Sequence, residues 1–256
     1  MKIIISPAKK MNIDQETYPV QALPKFLSET EKILEWMKQL SYDEAKQLWN
    51  CNDKLVNLNF RRVQEMELER NLTPAICSYE GIQYQYMAPL VFTQKALSYV
   101  QEHLRIISGF YGLLRPLDGV VPYRLEMQAK LENFTGGKDL YQFWGDKLYR
   151  NVVLQDRIIL NLASKEYSRC IENYLENDVH FVTCVFGEKQ KDKIVQKGTL
   201  AKMARGEMVR FLAENEVEDL KTVKSFRGLD YFYSEADSTE WEYVFLKKAV
   251  SRQEKH

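Results

Sequence analysis

The sequence predicts an α/β fold: a mixed β-sheet flanked by helices, in one domain over residues 1–256. Three observations predict it. Short runs rich in β-branched and other apolar residues, at residues 2–5, 104–108 and 157–162, read as buried strands. Segments between them carry apolar residues at helical spacing. No linker, internal repeat or low-complexity tract interrupts the chain, so one layered domain is the simplest arrangement.

The first strand, KIII at residues 2–5, ends at Ser6-Pro7-Ala8-Lys9-Lys10. Phe26, Leu27, Ile33, Leu34, Met37 and Leu40 recur at helical spacing and predict a helix over 26–40. Ser41 and Glu44 then have the form of a capping box, in which the Ser41 hydroxyl takes a free amide of the new helix and Glu44 reaches back. A further helix follows Asn52 and Asp53 and runs to residue 69. Residues 74–79 predict a strand, 94–103 a helix and 104–108 a buried strand. Residues 109–119 are turn-rich, punctuated by glycine and proline. The strand at 157–162 runs into Ser164, which has the chemistry of a helix N-cap. Residues 179–186 with 193–196 predict a hairpin, 200–214 a helix, and 229–233 with 241–246 a closing hairpin.

Charge and cysteine usage narrow the function classes. Lys and Arg number 36, as do Asp and Glu, so a globally basic nucleic-acid arm is excluded while a local basic surface is not. Seven basic residues and two acids lie between Lys189 and Phe211, and nine acids and three basic residues between Leu212 and Glu242. These are either two solvated faces or a basic surface for polyanions with an acidic face turned away. No apolar run approaches the ~20 residues of a membrane span. The amino terminus lacks the form of a secretory leader. The expectation is a cytoplasmic protein that engages no membrane. Cys51, Cys77, Cys170 and Cys184, and His103, His180 and His256, are scattered with no zinc, haem or iron–sulfur spacing. No metal and no cofactor are expected. The cysteines read as reduced, buried thiols; a peroxide-sensing thiol is the alternative and needs an electropositive neighbourhood.

Three segments carry candidate chemistry. Predicted strands end in small polar turns at Ser6-Pro7-Ala8-Lys9, Ser108-Gly109-Phe110-Tyr111-Gly112 and Asn161-Leu162-Ala163-Ser164. Ligands of α/β sheets gather beyond strand carboxyl ends. If the strands are parallel neighbours, Ser6, Ser108 and Asn161 surround one cleft together with Arg115. The densest segment, residues 115–127, holds Arg115, Asp118, Tyr123, Arg124 and Glu126. Its arginines have the fork that grips phosphate, and Asp118 or Glu126 would serve as a general base if burial raised its pKa. The alternative is an Arg–carboxylate network that fixes a long loop. Finally, residues 48–56 can be laid on the helix-hairpin-helix pattern L-P-G-I-G-x-K-x-A, with Asn50 and Asn52 where glycines are usual and Lys54 keeping the lysine. Asparagine tolerates the left-handed conformation that such a turn requires. An ordinary helix–helix connection is the alternative.

The chain resembles the YaaA family of peroxide stress resistance proteins. The matches are ISPAK at residues 5–9, SGFYGLLRPLDGVVPYRLEM at 108–127, LYQFWGDK at 140–147, NLASKEY at 161–167 and AKMARGEMVRF at 201–211. Phe110 departs from the usual leucine, and Gly119 and Val120 fall in a variable part of the loop. The resemblance implies a cytosolic bacterial protein that protects against hydrogen peroxide by limiting iron-driven damage. It also implies a single α/β domain of unusual topology that binds DNA through a helix-hairpin-helix element and a positively charged cleft.

Two functions follow. The first is a DNA-binding stress protein, largely indifferent to sequence and without a stable protein partner. Lys9, Lys10, Asn52, Lys54, Arg115, Arg124, Lys202 and Arg205 would make its backbone contacts, with Tyr111 and Tyr123 for stacking. The second is an enzyme acting on a nucleobase, nucleotide or nucleic acid, using Ser108, Tyr111, Asp118, Glu126, Asn161 and Glu166. A redox or iron-handling protein built on the cysteines is a third class, which their scatter disfavours.

Overall fold

A computed structural model of the protein describes residues 1–248 apart from Glu132, Thr135, Gly136, Gln155 and Asp192. Asp192 and His256, both used above, lie outside the described residues. The strands are β1 (Lys2–Ile5), β2 (Lys10–Met11), β3 (Thr73–Pro74), β4 (Tyr79–Glu80), β5 (Leu104–Ser108), β6 (Gly112–Leu114), β7 (Gly119–Val120), β8 (Ile158–Leu162), β9 (His180–Gln190), β10 (Lys193–Val195), β11 (Tyr231–Tyr233) and β12 (Glu242–Lys247). The helices are α1 (Leu27–Gln39), α2 (Tyr42–Trp49), α3 (Asp53–Glu65), α4 (Ala75–Ser78), α5 (Ile82–Met87), α6 (Gln94–His103), α7 (Leu140–Trp144), α8 (Lys147–Val153), α9 (Lys165–Glu172), α10 (Gly198–Glu214) and α11 (Leu220–Val223).

Eight strands make one mixed sheet in the order β11-β12-β9-β8-β1-β5-β6, with β10 hairpinned onto β9. The five central strands run parallel, and β11, β6 and β10 are antiparallel to their neighbours. Helices flank the sheet, with α9 against β1 and β5, α6 against β5 and α10 against β9. This coverage explains the continuous apolar runs: Ile3, Ile4 and Ile5 are all fully buried, as parallel strands covered on both faces must be.

Local signals act as their chemistry dictates. The Ser41–Glu44 capping box forms, with the Glu44 amide donating to the Ser41 hydroxyl at 3.3 Å and the Ser41 amide to the Glu44 carboxylate at 2.8 Å. The predicted hairpins at β9–β10 and β11–β12 are present. Residues 74–79 are not a strand. Ala75–Ser78 is one helical turn between the two-residue strands β3 and β4. Its amides at Ala75 and Ile76 donate to the carbonyls of Asp118 and Pro116, so it is a buried turn that apolar content alone cannot tell from a strand. Helix α3 stops at Glu65 rather than residue 69, because Met66 turns extended and it and Leu68 enter the core.

Helix α10 packs closely on α5. A Cβ added at Gly206 would stand 2.0 Å from the Gln83 carbonyl oxygen and 2.9 Å from the Met87 amide nitrogen. Both are backbone atoms that cannot step aside. Alanine gains about 1 kcal/mol over glycine in helix propensity, but overpacking costs about 1–3 kcal/mol or more when backbone must shift. The clash therefore wins. Gly206→Ala is expected to lower the unfolding free energy by about 1–2 kcal/mol, read from the urea midpoint at unchanged slope. An equal or higher midpoint would show that the two helices separate freely.

Candidate functional site

Parallel pairing brings the ends of β1, β5 and β8 to one edge of the sheet, with Ile5 opposite both Ile106 and Leu162. The turns beyond them are stitched together by side chains. The Ser6 hydroxyl accepts from the Ser164 amide at 2.8 Å and donates to the Ser164 hydroxyl at 3.2 Å. The Tyr84 hydroxyl donates to the Ser6 carbonyl at 3.0 Å. Ser108 accepts from the amides of Phe110 and Tyr111 at 3.2 and 2.9 Å, closing its own turn, and its hydroxyl lies 2.6 Å from that of Tyr123, which lies 2.8 Å from that of Tyr79. Burial drives the Tyr123 phenol up to about 12 and those of Tyr79 and Tyr84 well above the ordinary 10, so all three stay neutral hydrogen-bonding groups.

Over these turns lies a cleft of about 400 Å³ between the ISPAK turn, the start of α5, residues 123–126, the start of α9 and one face of α10. Lys202 and Arg205, three apart on α10, both line it. Glu126 accepts from Lys9 at 2.8 Å and from Arg124 at 3.2 Å, so this carboxylate orients the Arg124 guanidinium. Glu166 accepts from the Gln128 amide at 3.3 Å. Burial first, and then the charge of Glu126, push its carboxyl above the ordinary range. Burial likewise pulls the Arg205 guanidinium down.

A second cavity of about 580 Å³ adjoins the first. Lys9 and Glu126 line both, so their ion pair divides one groove into two chambers. The outer chamber is walled by Trp36, Leu48, Trp49 and Asn50, at the connection between α2 and α3. In that connection Asn50 adopts the left-handed conformation, with φ at 41°, while Asn52 is extended and caps α3 by accepting from the Leu55 amide at 3.0 Å. Of the two asparagines in glycine positions, one makes the turn and the other starts the helix.

Comparison with known proteins places the chain. The family described as "Peroxide stress protein YaaA" matches residues 1–237. The chain belongs to this family. Among its relatives, the UPF0246 protein of Lachnoclostridium phytofermentans is 57% identical over 247 residues, covering 96% of both chains. The UPF0246 protein of Pediococcus pentosaceus is 52% identical over 252 residues, 98% of this chain and 100% of the relative. That of Agathobacter rectalis is 52% identical over 248 residues, 97% and 99% of the two chains.

The motifs shared with the YaaA family now have physical roles. ISPAK supplies Ser6, which ties the turn to Ser164, and Lys9. In LYQFWGDK, the buried Trp144 donates its indole N–H to the Gly109 carbonyl at 3.0 Å and supports the Ser108 turn. NLASKEY supplies Ser164 and Glu166, and AKMARGEMVRF supplies Lys202, Arg205 and Gly206.

Of the sequence-derived candidates, Lys9, Lys10, Tyr123, Arg124, Glu126, Glu166, Lys202 and Arg205 share the cleft. Ser108 and Tyr111 are fully buried beneath it, and the Tyr111 hydroxyl accepts from the Val121 amide, which corrects the assignment of Tyr111 to stacking. Asn161 is buried too; it donates to the Thr183 hydroxyl and accepts from the Ala163 amide. Asn52 and Lys54 sit at the exposed α2–α3 connection. Arg115 and Asp118 do not join the cleft. Antiparallel β6 carries the chain back across the sheet, so they lie by the start of β5, beside Arg105. Gln83 and Tyr84 line the cleft and carried no sequence signal. Among the described residues, no group of three or more His, Cys, Asp or Glu is placed to hold a metal ion. The thiols of Cys77 and Cys170 are pushed up to about 12 by burial and that of Cys184 higher, the reverse of a reactive cysteine.

Burial also pushes the Asp118 carboxyl from its ordinary 3.8 up to about 6, against the opposing pull of the Arg115 amide and the guanidinium groups of Arg115 and Arg105. The folded protein therefore holds this proton more tightly than the unfolded chain. The stability it contributes is complete below pH 3.8 and is lost as pH rises through 6. In urea unfolding from about pH 4 to pH 7, Asp118→Asn is expected to show a shallower decline than the parent. Parallel curves for the two proteins would contradict a neutral Asp118.

Proposed function

We propose that this YaaA-family protein binds DNA along the groove formed by the two adjoining chambers. One observation carries the reading. Every buried side-chain nitrogen or oxygen without a partner among the described residues is an N–H donor, and all four belong to residues that wall these chambers: Trp49 Nε1 at the outer one, and Gln83 Nε2, Arg124 Nε and Arg205 Nε at the inner one. A buried donor left unpaired costs about 1–3 kcal/mol, and native folds keep few of them. Four in one groove match a ligand made of acceptors. Phosphate oxygens are acceptors only, and Lys9, Lys10 and Lys202 stand exposed at the mouth to meet their charge.

The α2–α3 connection extends this surface as a helix-hairpin-helix-like element, with Asn50 in the left-handed turn and Lys54 exposed at the start of α3. Contact through the backbone is indifferent to base sequence. In the cytoplasm, a protein seated on DNA shields it from iron-driven radicals, which gives peroxide resistance without peroxide chemistry in the protein itself. A second reading, an enzyme acting on a nucleobase, nucleotide or nucleic acid, is favoured by the carboxylates of Glu126 and Glu166, which line the cleft together with the Lys10-paired Glu80.

Fluorescence anisotropy of labelled duplex DNA against salt tests the reading. Binding is expected to weaken steeply, each phosphate contact adding about −0.9 to the slope of log K on log salt. Lys202→Ala and Lys54→Ala, both at exposed positions, are each expected to flatten the slope by about 0.9. Absence of binding at low salt would overturn the proposal, and an unchanged slope would remove that lysine from the interface.

A further inference from the structure

We infer that the inner chamber holds one unpaired nucleotide, its base edge set between Glu166 and the free N–H groups of Gln83, Arg124 and Arg205 and its phosphate at the lysine-rich mouth. The inference rests on the DNA-binding reading and deepens it.

A site that met only phosphate would need donors and no carboxylates. This chamber is lined by three, of which Glu80 is taken up by Lys10 at 2.5 Å. Glu126 is consumed by Lys9 and Arg124. Glu166 accepts from backbone amides at Gln128 and Met127 and feels the charge of Lys9, and a carboxylate has about four acceptor sites, so acceptor capacity remains on it. A carboxylate facing a phosphate repels it; a carboxylate facing an N–H group binds it. Gln83 supplies the complementary half. It is only 7% exposed, yet its amide nitrogen has no partner, as is true of the Nε atoms of Arg124 and Arg205. Three donors and one acceptor around one space match the mixed edge of a nucleobase, which presents N–H groups next to carbonyl or ring-nitrogen acceptors. Phosphate presents no donor, and ribose hydroxyls present both kinds of group but not along one planar edge.

Shape and walls agree. The chamber's volume of about 400 Å³ lies in the usual range for a small-molecule site. Tyr84, Tyr123 and Tyr167 form part of its wall, all almost wholly buried and all neutral, so they give it a fixed, largely apolar floor. The glycine contact of α10 with α5 fixes Gln83 relative to Arg205 and Lys202, so the donors are placed before the ligand arrives. A base inside a duplex cannot enter such a chamber; an unpaired or extruded one can.

The test is isothermal titration of the full-length protein at low salt with AMP, GMP, CMP and dTMP, and with ribose 5-phosphate and inorganic phosphate as base-free controls. At least one nucleotide is expected to bind about tenfold tighter than ribose 5-phosphate. Glu166→Gln should weaken that nucleotide by about tenfold and leave ribose 5-phosphate unchanged, since only the base-edge acceptor is altered. Gln83→Met, close in volume and lacking the donor, repeats the test should the first variant not fold. Ribose 5-phosphate binding as tightly as every nucleotide would overturn the inference. Duplex binding without any nucleotide binding would remove the chamber's role and leave the groove standing. Loss of both would remove both readings.

Discussion

The placement of β1 between β5 and β8 is the constraint on which the rest depends. Its four residues, Lys2–Ile5, pair in parallel with β8, three of them, Ile3–Ile5, pair with β5 as well, and all four are buried. A slip of one residue would exchange the two faces of the strand and move Ser6 away from Ser164. The pairing therefore fixes more than a sheet. It sets three turns at one edge, where the amides and hydroxyls that follow each strand can meet one another. Antiparallel β6 has the opposite effect: Gly112, with φ at +73° and no room for a Cβ beside the Trp144 ring, reverses the chain and returns Arg115 to the other edge.

Several residues with the chemistry of catalysis act instead as structure. Ser108 ties two amides and the Tyr123 phenol, Ser6 ties Ser164, and Asn161 ties β8 to β9. Removing one of these partners strands a buried polar group, which costs about 1–3 kcal/mol, comparable to losing a core methyl group or two. The hydroxyl network keeps the cleft floor rigid. The groups that face open space are those above it, on the ISPAK turn, residues 123–126, α9 and α10.

Much of this was legible in the sequence, and the illegible part has physical causes. The strands declared themselves through β-branched runs, the second helix through Ser41 and Glu44, and the cleft through small polar residues after each strand. Arg115 and Asp118 misled because they share a dense motif with Arg124 and Glu126. Density along the chain does not reveal a reversal, and a single left-handed glycine separates the two pairs in space. Gln83 and Tyr84 gave no signal, because a six-residue helix without a capping residue resembles a loop in sequence. The carboxylate neighbour of Glu126 was named in the sequence as a candidate, but not as its neighbour. Glu166 lies forty residues further on and meets it only because β8 pairs with β1.

The ion pair of Lys9 with Glu126 sets how the two chambers communicate. Lys9 is 65% exposed there, so the contact contributes about 0–1 kcal/mol. Hydrogen bonds to a charged group contribute about 1.5–3 kcal/mol. A phosphate arriving at the groove therefore competes well for Lys9. Glu126 does not follow the lysine, because Arg124 holds its other oxygen from a position only 12% exposed. Displacement thus joins the chambers without releasing a second charge. It leaves Arg124 oriented, with its Nε still in need of an acceptor. Of the two ion pairs of Glu126, the more exposed one lies between the chambers and the better-buried one lies inside, which is the order that the proposed DNA-binding reading requires.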